Sequence, residues 1–333
     1  MTQISRILGE RSGSEKGPLL LILTQVHGNE PAGYYAVQEL FQRIDQEYQN
    51  KADFDYRGRI VALRGNLAAI ASGQRFIDED FNRIWTDERV KQVQNSPLDQ
   101  LKSQEEKELK GLLETIQALM DQHPDEQVVL LDLHTTTAKG GMFLIPSTDD
   151  NSRALGLNIH APLLHGFLDG LEGTILHYFR QKNFPHHQLT SICFEAGQHD
   201  SLSSVGHAVS AIIQCFTAMG GFYAADIEMK HELRLSEENQ GLPKEGRLAY
   251  CHRIHQGDNF KMRSDKIYRN FDPIYKGELL AEDKNGPIYS PLDGLILMPL
   301  YQKQGNDGFF IIEDMDLSAP KLGRKIPKTI LNA

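Results

Sequence analysis

"GPLLLILTQVHGNEPAG", residues 17–33, is the stretch on which the fold turns. It opens with a short, continuous apolar run, the pattern of a strand buried on both faces of a sheet. The run gives way to His27 and Gly28, with Glu30 three residues after the histidine. In open α/β sheets, ligands gather just beyond the carboxyl ends of the strands. A His-x-x-Glu pair in that place is either a polar turn or half of a metal site, and the spacing alone does not choose between them.

The rest of the chain supplies the context. "AGYYAVQELFQRIDQEY" (32–48) has apolar residues at near-helical spacing. "RGRIVALRGN" (57–66) is a second strand candidate, closed by Gly65 and Asn66. From about Pro97 to His123 the sequence predicts a long amphipathic helix with Leu98, Leu101, Leu109, Leu112, Leu113, Ile116 and Leu119 on one stripe. "EQVVLLDLHT" (126–135) is a third strand candidate, ending at His134, and "LTSICFEAG" (189–197) a fourth, ending at Glu195. "SLSSVGHAVSAIIQCFTAMGG" (201–221) reads as a helix with a serine start and a glycine stop. Strands alternating with helices imply a layered α/β/α fold around a central mixed, partly parallel sheet.

After about residue 225 the texture changes. "NFDPIYKGELLAEDKNGPIYSPLDGLILMPLYQKQGNDGFFIIED" (270–314) consists of short runs divided by Gly, Pro, Asp and Asn, which is all-β texture. The expected organisation is a first domain over residues 1–225 and a smaller β-rich domain over 226–333, with "SEENQGLPKEGR" (236–247) as loop or linker.

Composition narrows the function. The 333 residues are 40% hydrophobic and 24% charged, with a formal net charge of −10. An acidic chain without a Lys/Arg block is a poor match to nucleic acid or to an anionic membrane surface. No stretch approaches the roughly 20 apolar residues of a membrane span, and the N-terminus lacks the apolar core of a signal peptide. Cys193, Cys215 and Cys251 form no CxxC pair. That fits a reducing cytoplasm and argues against a disulfide framework. Whether the chain forms an oligomer is not legible.

Three of the four strand candidates therefore end on His27, His134 and Glu195. Zinc takes imidazole nitrogens and carboxylate oxygens, and catalytic sites keep one position open. His27 and Glu30 straddle a turn and can reach one ion, with His134 as the third ligand. Asp132, two residues before His134 on a strand, shares its face and is either a partner of that histidine or part of an unrelated buried hydrogen bond. His186 and His187 point to opposite sides of an extended segment and are expected in a loop. His199, His207, His252 and His255 are expected to play no part in the site.

"HGNEPAG", "RGNLAAIASGQRFIDEDFNRIW", "LLDLHTT" and "CFEAG", in that order, resemble the succinylglutamate desuccinylase and aspartoacylase family, relatives of the zinc carboxypeptidases. The likeness covers roughly residues 18–220. It extends more loosely into the tail, where "IYSPLDGLIL" (288–297) is similar to the family's C-terminal barrel-like domain. That hairpin also echoes lipoyl-type carriers, but no lysine sits at its turn.

The resemblance implies one zinc ion per chain on His27, Glu30 and His134, with Glu195 as the general base. It implies that Arg75 polarises the scissile carbonyl, that Asn82 and Arg83 grip a substrate carboxylate, and that Asn66 belongs to the active site. Asp80 would orient its neighbours, and Tyr301 is the nearest match to a family tyrosine that enters the site from the tail. The chemistry is coherent: amide hydrolysis needs an activated water, a base, and a fixed cation beside the developing oxyanion, and a planar guanidinium suits a carboxylate. In aspartoacylase a further arginine precedes the base; "KNFPHHQLTSICFE" (182–195) has none, the nearest being Arg180, so N-acetylaspartate specificity is unsupported.

The expected function is zinc-dependent deacylation of a small anionic N-acyl amino acid. The alternative is a zinc carboxypeptidase or amidase acting on a short peptide or cell-wall fragment. A non-catalytic binding protein would be expected to lack one of these groups, and none is missing.

Overall fold

The computed structural model describes residues 4–124, 126–223 and 230–315. Its strands are, in chain order, β1 (Ile7–Ser12), β2 (Glu15–Thr24), β3 (Arg57–Arg64), β4 (Gln127–Thr136), β5 (Phe143–Pro146), β6 (Leu163–His165) and β7 (Gln188–Gln198). They continue as β8 (Glu245–Arg253), β9 (Lys261–Met262), β10 (Asp272–Ile274), β11 (Leu279–Asp283), β12 (Gly286–Tyr289), β13 (Gly294–Leu297) and β14 (Asp307–Asp314). Eleven of them form one mixed sheet in the order β1-β3-β2-β4-β7-β5-β6-β8-β14-β13-β10, and β12-β11-β9 form a small antiparallel sheet. The pairs β3-β2, β2-β4 and β4-β7 are parallel. The layered α/β fold is as the sequence predicts.

Alternation explains the layering. Leu20 and Ile22 of β2 and Leu131 and Leu133 of β4 pack with Val37, Leu40 and Ile44 of helix α1 (Ala32–Asn50) and with the helix Leu202–Ala218. Leu19, Leu21 and Leu23 of β2 and Val128 and Leu130 of β4 face the other way. After helix α2 (Leu67–Ser72) come α3 (Asp87–Asn95) and α4 (Gln104–Asp121), whose apolar residues cover that second face. The chain leaves β2 through α1 toward β3 on one side, then returns through α4 to β4 on the other. This reversal opens a crevice at the carboxyl ends of β2 and β4.

Some boundaries differ from the sequence reading. The predicted helix from Pro97 begins only at Gln104, because Ser103 and Glu106 form a reciprocal capping box. Leu98 lies in a preceding 3-10 turn and is exposed. Strand β2 stops at Thr24, so His27 lies three residues beyond it, whereas His134 and Glu195 lie inside β4 and β7 near their ends. A short helix, Lys230–Glu238, precedes the β-rich tail. Residues 239–244 are therefore a brief turn between that helix and β8 rather than a long linker. The expected boundary between residues 225 and 226 lies outside the described residues, and β8, β14, β13 and β10 extend the main sheet. No helix among the described residues is long and apolar enough to cross a membrane.

The turn after β2 is held tightly. Gln25 adopts φ +53°, a sparsely populated conformation for a residue with a side chain. Gly65 and Asn66 donate backbone N–H groups to the carbonyls of Thr24 and Gln25 at 2.7 and 3.0 Å. At Gly28 the backbone of Ala69 approaches so closely that a Cβ would lie 2.2 Å from its carbonyl carbon. Gly28→Ala therefore forces the turn away from α2. We expect a loss of roughly 2 kcal/mol of stability in denaturant unfolding, within the usual cost of overpacking; an unchanged midpoint would show that the turn adapts freely.

Candidate metal centre and active-site cavity

Three elements converge in the crevice. The turn after β2 carries His27 and Glu30, β4 carries Asp132 and His134, and β7 carries Cys193 and Glu195. Asp132 and His134 share a face by strand alternation. Their partners in the β4-β7 register are Cys193 and Glu195, which brings Glu195 beside His134.

The buried carboxylate of Glu30 organises the centre. Its Oε1 lies 2.8 Å from His27 Nδ1 and 3.2 Å from an Arg75 N–H, and its Oε2 lies 3.1 Å from His134 Nδ1 and 3.0 Å from the Thr135 N–H. The far nitrogens of the two rings also have carboxylate partners. His27 Nε2 meets Asp80 at 3.1 Å, and His134 Nε2 meets Asp132 at 2.9 Å. Each ring is thus oriented from behind by an acid while its Nδ1 faces Glu30.

His27, Glu30 and His134 each offer a ligand atom, all within 4.8 Å of one another and all buried. The set fits zinc: two imidazoles and one carboxylate leave a further position open, and outer carboxylates on ligating histidines are the usual support. The ring protons shared with Glu30 are those an ion would displace. Asp132, His134 and Cys193 are also close enough to share an ion, but Asp132 already serves to orient His134.

The electrostatics follow from burial and pairing. Burial opposes ionisation of Glu30, yet His27 and His134 outweigh it and hold the carboxyl well below its usual range. Asp80 is likewise held well below its usual range, Arg75 and His27 overcoming burial. For His134, Asp132 and Glu30 overcome burial and raise the imidazole well above its ordinary value. Glu195 behaves differently: burial dominates and pushes its carboxyl up to about 7. Its Oε2 is buried without a hydrogen-bond partner in the protein.

Loop 74–80 joins the site through Arg75 and Asp80. Arg75 donates to both Glu30 and Asp80, and its carbonyl accepts the Gly28 N–H at 3.2 Å. The loop is anchored from below by Glu105, a buried carboxylate in the first turn of α4 that accepts the N–H groups of Ile77, Asp78 and Glu79 and the Asn66 side chain.

A cavity of about 120 Å³ contains His27, Glu30, Arg75, Asn82, Arg83, His134 and Glu195 in its wall. Two residues expected there are elsewhere. Asn66 is fully buried, caps α2 through its side chain and donates to Glu105; it supports the site from outside the wall. Tyr301 is partly exposed, and its hydroxyl bonds to the backbone of Tyr268. Asn82 does line the wall, but its Oδ1 accepts the Ile175 N–H at 2.8 Å. Arg83 donates to Asp307 at 2.5 Å.

Other residues enter without having been expected. His199 lines the cavity, its Nδ1 2.7 Å from the Thr135 hydroxyl and its Nε2 buried without a partner; burial lowers its pKa. It follows directly on β7, so the signal that marks His27, a histidine just beyond a strand end, was present there too. Met298, Leu300, Gln302 and Asn306 reach the cavity from the β13–β14 connection and Asp307 from the first residue of β14; no spacing in the sequence marks them. His186, His187, His207, His252 and His255 lie outside the wall.

Residues 16–188, just over half of the chain, match the family model for the succinylglutamate desuccinylase/aspartoacylase catalytic domain. The chain belongs to this family. Its members are metal-dependent amidohydrolases. A probable aspartoacylase from Nostoc sp. is 31% identical over 129 residues, a stretch covering 39% of each protein. The chain thus spans well under two thirds of that curated relative. A crystal structure of a succinylglutamate desuccinylase/aspartoacylase from Rhodobacter sphaeroides superposes with a TM-score of 0.59 at 15% identity, covering 90% of this chain and 87% of that one. The ectoine utilization protein EutE (DoeB) from Ruegeria pomeroyi, in a product-bound structure, superposes with a TM-score of 0.61 at 17% identity over 91% and 87%. The solved structures share the fold.

The Asp132 contact generates a prediction. Asp132→Asn removes the charge behind His134, and zinc affinity measured by competition with a chelator should fall about tenfold or more. Unchanged affinity would mean that His134 is oriented without Asp132.

Proposed function

We propose that the protein is a zinc-dependent amidohydrolase that deacylates an N-acyl amino acid. The observation that carries this reading is the convergence of His27, Glu30 and His134 at one end of a cavity that also holds the unpartnered oxygen of Glu195. His27, Glu30 and His134 would hold the ion, one per chain. Bound there, zinc lowers the pKa of water to roughly 7 and polarises a carbonyl oxygen.

The chain's own groups do the rest. Glu195 takes the proton of the attacking water at Oε2 and returns it to the departing amine. Burial keeps its carboxyl up at about 7, near the value at which one group serves both steps. Arg75, fixed by Glu30 and Asp80, faces the charge that develops on the carbonyl oxygen; a donor held in place beforehand costs no reorganisation at that moment. Arg83, with Asn82 beside it, receives the substrate carboxylate. Asn66 contributes by holding α2 and Glu105 in register.

The peptidase alternative shares the metal chemistry and differs in the pocket. Here the β13–β14 connection forms one wall, and the space is about 120 Å³, about four waters at liquid density. A small acyl amino acid fits those dimensions better than an extended peptide, so the tail favours the first reading. The boundary between a catalytic domain and this tail remains placed near residue 225 in the same proposal.

The test separates base from ligand. Glu195→Gln should keep about one zinc per chain and lose most turnover of N-acyl amino acids, by about 100-fold or more. His134→Ala should lose the metal itself. Zinc loss in Glu195→Gln, or a zinc-loaded, active His134→Ala, would overturn the assignment.

A further inference from the structure

Beside the metal-binding groups and a set of polar residues (Thr136, Thr137, Thr174, Gln302 and Asn306), the cavity wall carries an apolar patch. Ile145 from β5 and Phe310 from β14 form it, with Leu168, Leu171 and Leu176 from the segment after β6 and Met298 from the end of β13. These residues belong to or pack against one apolar cluster, so this part of the wall is a continuation of the core.

The charges in the wall point the same way. Glu30, Asp80, Asp132, Glu195 and Asp307 contribute five carboxylates, and Arg75 and Arg83 the two guanidiniums. Neither guanidinium is free. Arg75 is paired with Glu30 and Asp80, and Arg83 with Asp307. Asp307 is also bonded by Arg253, whose other amino group reaches the Gly170 carbonyl. Two guanidiniums sharing one carboxylate retain a single positive charge, enough for one substrate carboxylate. Arg180, the remaining arginine near this wall in sequence, donates to the His177 carbonyl and does not line the cavity.

From these contacts we infer that the cavity selects a monoanionic N-acyl amino acid with an apolar side chain and rejects dicarboxylates, and that Asp307 is the residue that sets this charge preference. The inference rests on the amidohydrolase reading above. A second carboxylate on the substrate would meet either the apolar wall, where a charge without a partner is strongly disfavoured, or Asp307, which repels it and already occupies the arginines. An apolar side chain instead gains by leaving water against Leu168, Leu171 and Phe310.

The experiment is a kcat/KM comparison with the full-length zinc-loaded protein on N-acetyl-L-leucine, N-acetyl-L-phenylalanine, N-acetyl-L-aspartate and N-succinyl-L-glutamate. The apolar pair should exceed the acidic pair by about 100-fold or more. In Asp307→Asn the acidic-to-apolar ratio should rise about tenfold, a ratio that a uniform loss of folded protein does not change. Ile145→Ala tests the wall separately: it should lower kcat/KM for N-acetyl-L-leucine several-fold more than for N-acetylglycine. Wild-type turnover that favours the acidic substrates would overturn the inference and leave the amidohydrolase reading standing. An unmoved ratio in Asp307→Asn would remove Asp307 as its determinant. No turnover of any N-acyl amino acid by zinc-loaded protein would overturn both.

Discussion

The buried carboxylate of Glu30 is the point on which the site depends. It bonds His27, His134, Arg75 and the Thr135 backbone at once, joining the β2 turn, the end of β4 and loop 74–80. A buried carboxylate with that many partners is stable only as an anion, and its charge in turn defines where a cation can sit. The doubly wound sheet brings these segments together because β2 and β4 are neighbours at the point where the chain reverses direction across the sheet.

A second buried carboxylate, Glu105, supports the first from a distance. Its bonds to the backbone of residues 77–79 and to Asn66 hold the loop that carries Arg75 and Asp80. Precision in the site is thus transmitted through helix α4, whose start is set by the Ser103–Glu106 capping box. An arginine beside a candidate metal ligand is useful only if it cannot swing away, and here backbone donors and acids fix the loop on both sides.

Much of this was legible in the sequence, for a physical reason. Strand and helix periods are local, so β2, β4, β7, α1 and the helix Leu202–Ala218 could be read directly, and residues at adjacent strand ends are brought together by the sheet itself. His27, His134 and Glu195 followed from that. The contribution of the tail was not legible, because Asp307 reaches Arg83 across 224 residues of chain and nothing local in "GNDG" marks it. Asn66 and Tyr301 show the converse. Their motif positions suggested substrate contact, but Asn66 is consumed by a helix cap and Glu105, and Tyr301 by the backbone of Tyr268. His199 follows a strand end as His27 does, and its Thr135 contact, its place in the cavity wall and its buried, unpartnered Nε2 distinguish it from a loop histidine.

The central claim is that an ion sits between the Nδ1 atoms of His27 and His134 and the Glu30 carboxylate. Anomalous diffraction at the zinc absorption edge, from crystals grown with zinc, tests it most directly. One strong peak is expected within about 2.0–2.2 Å of those three groups, with the Nε2 atoms still bonded to Asp80 and Asp132. A peak on other residues, or none at this position, would contradict it.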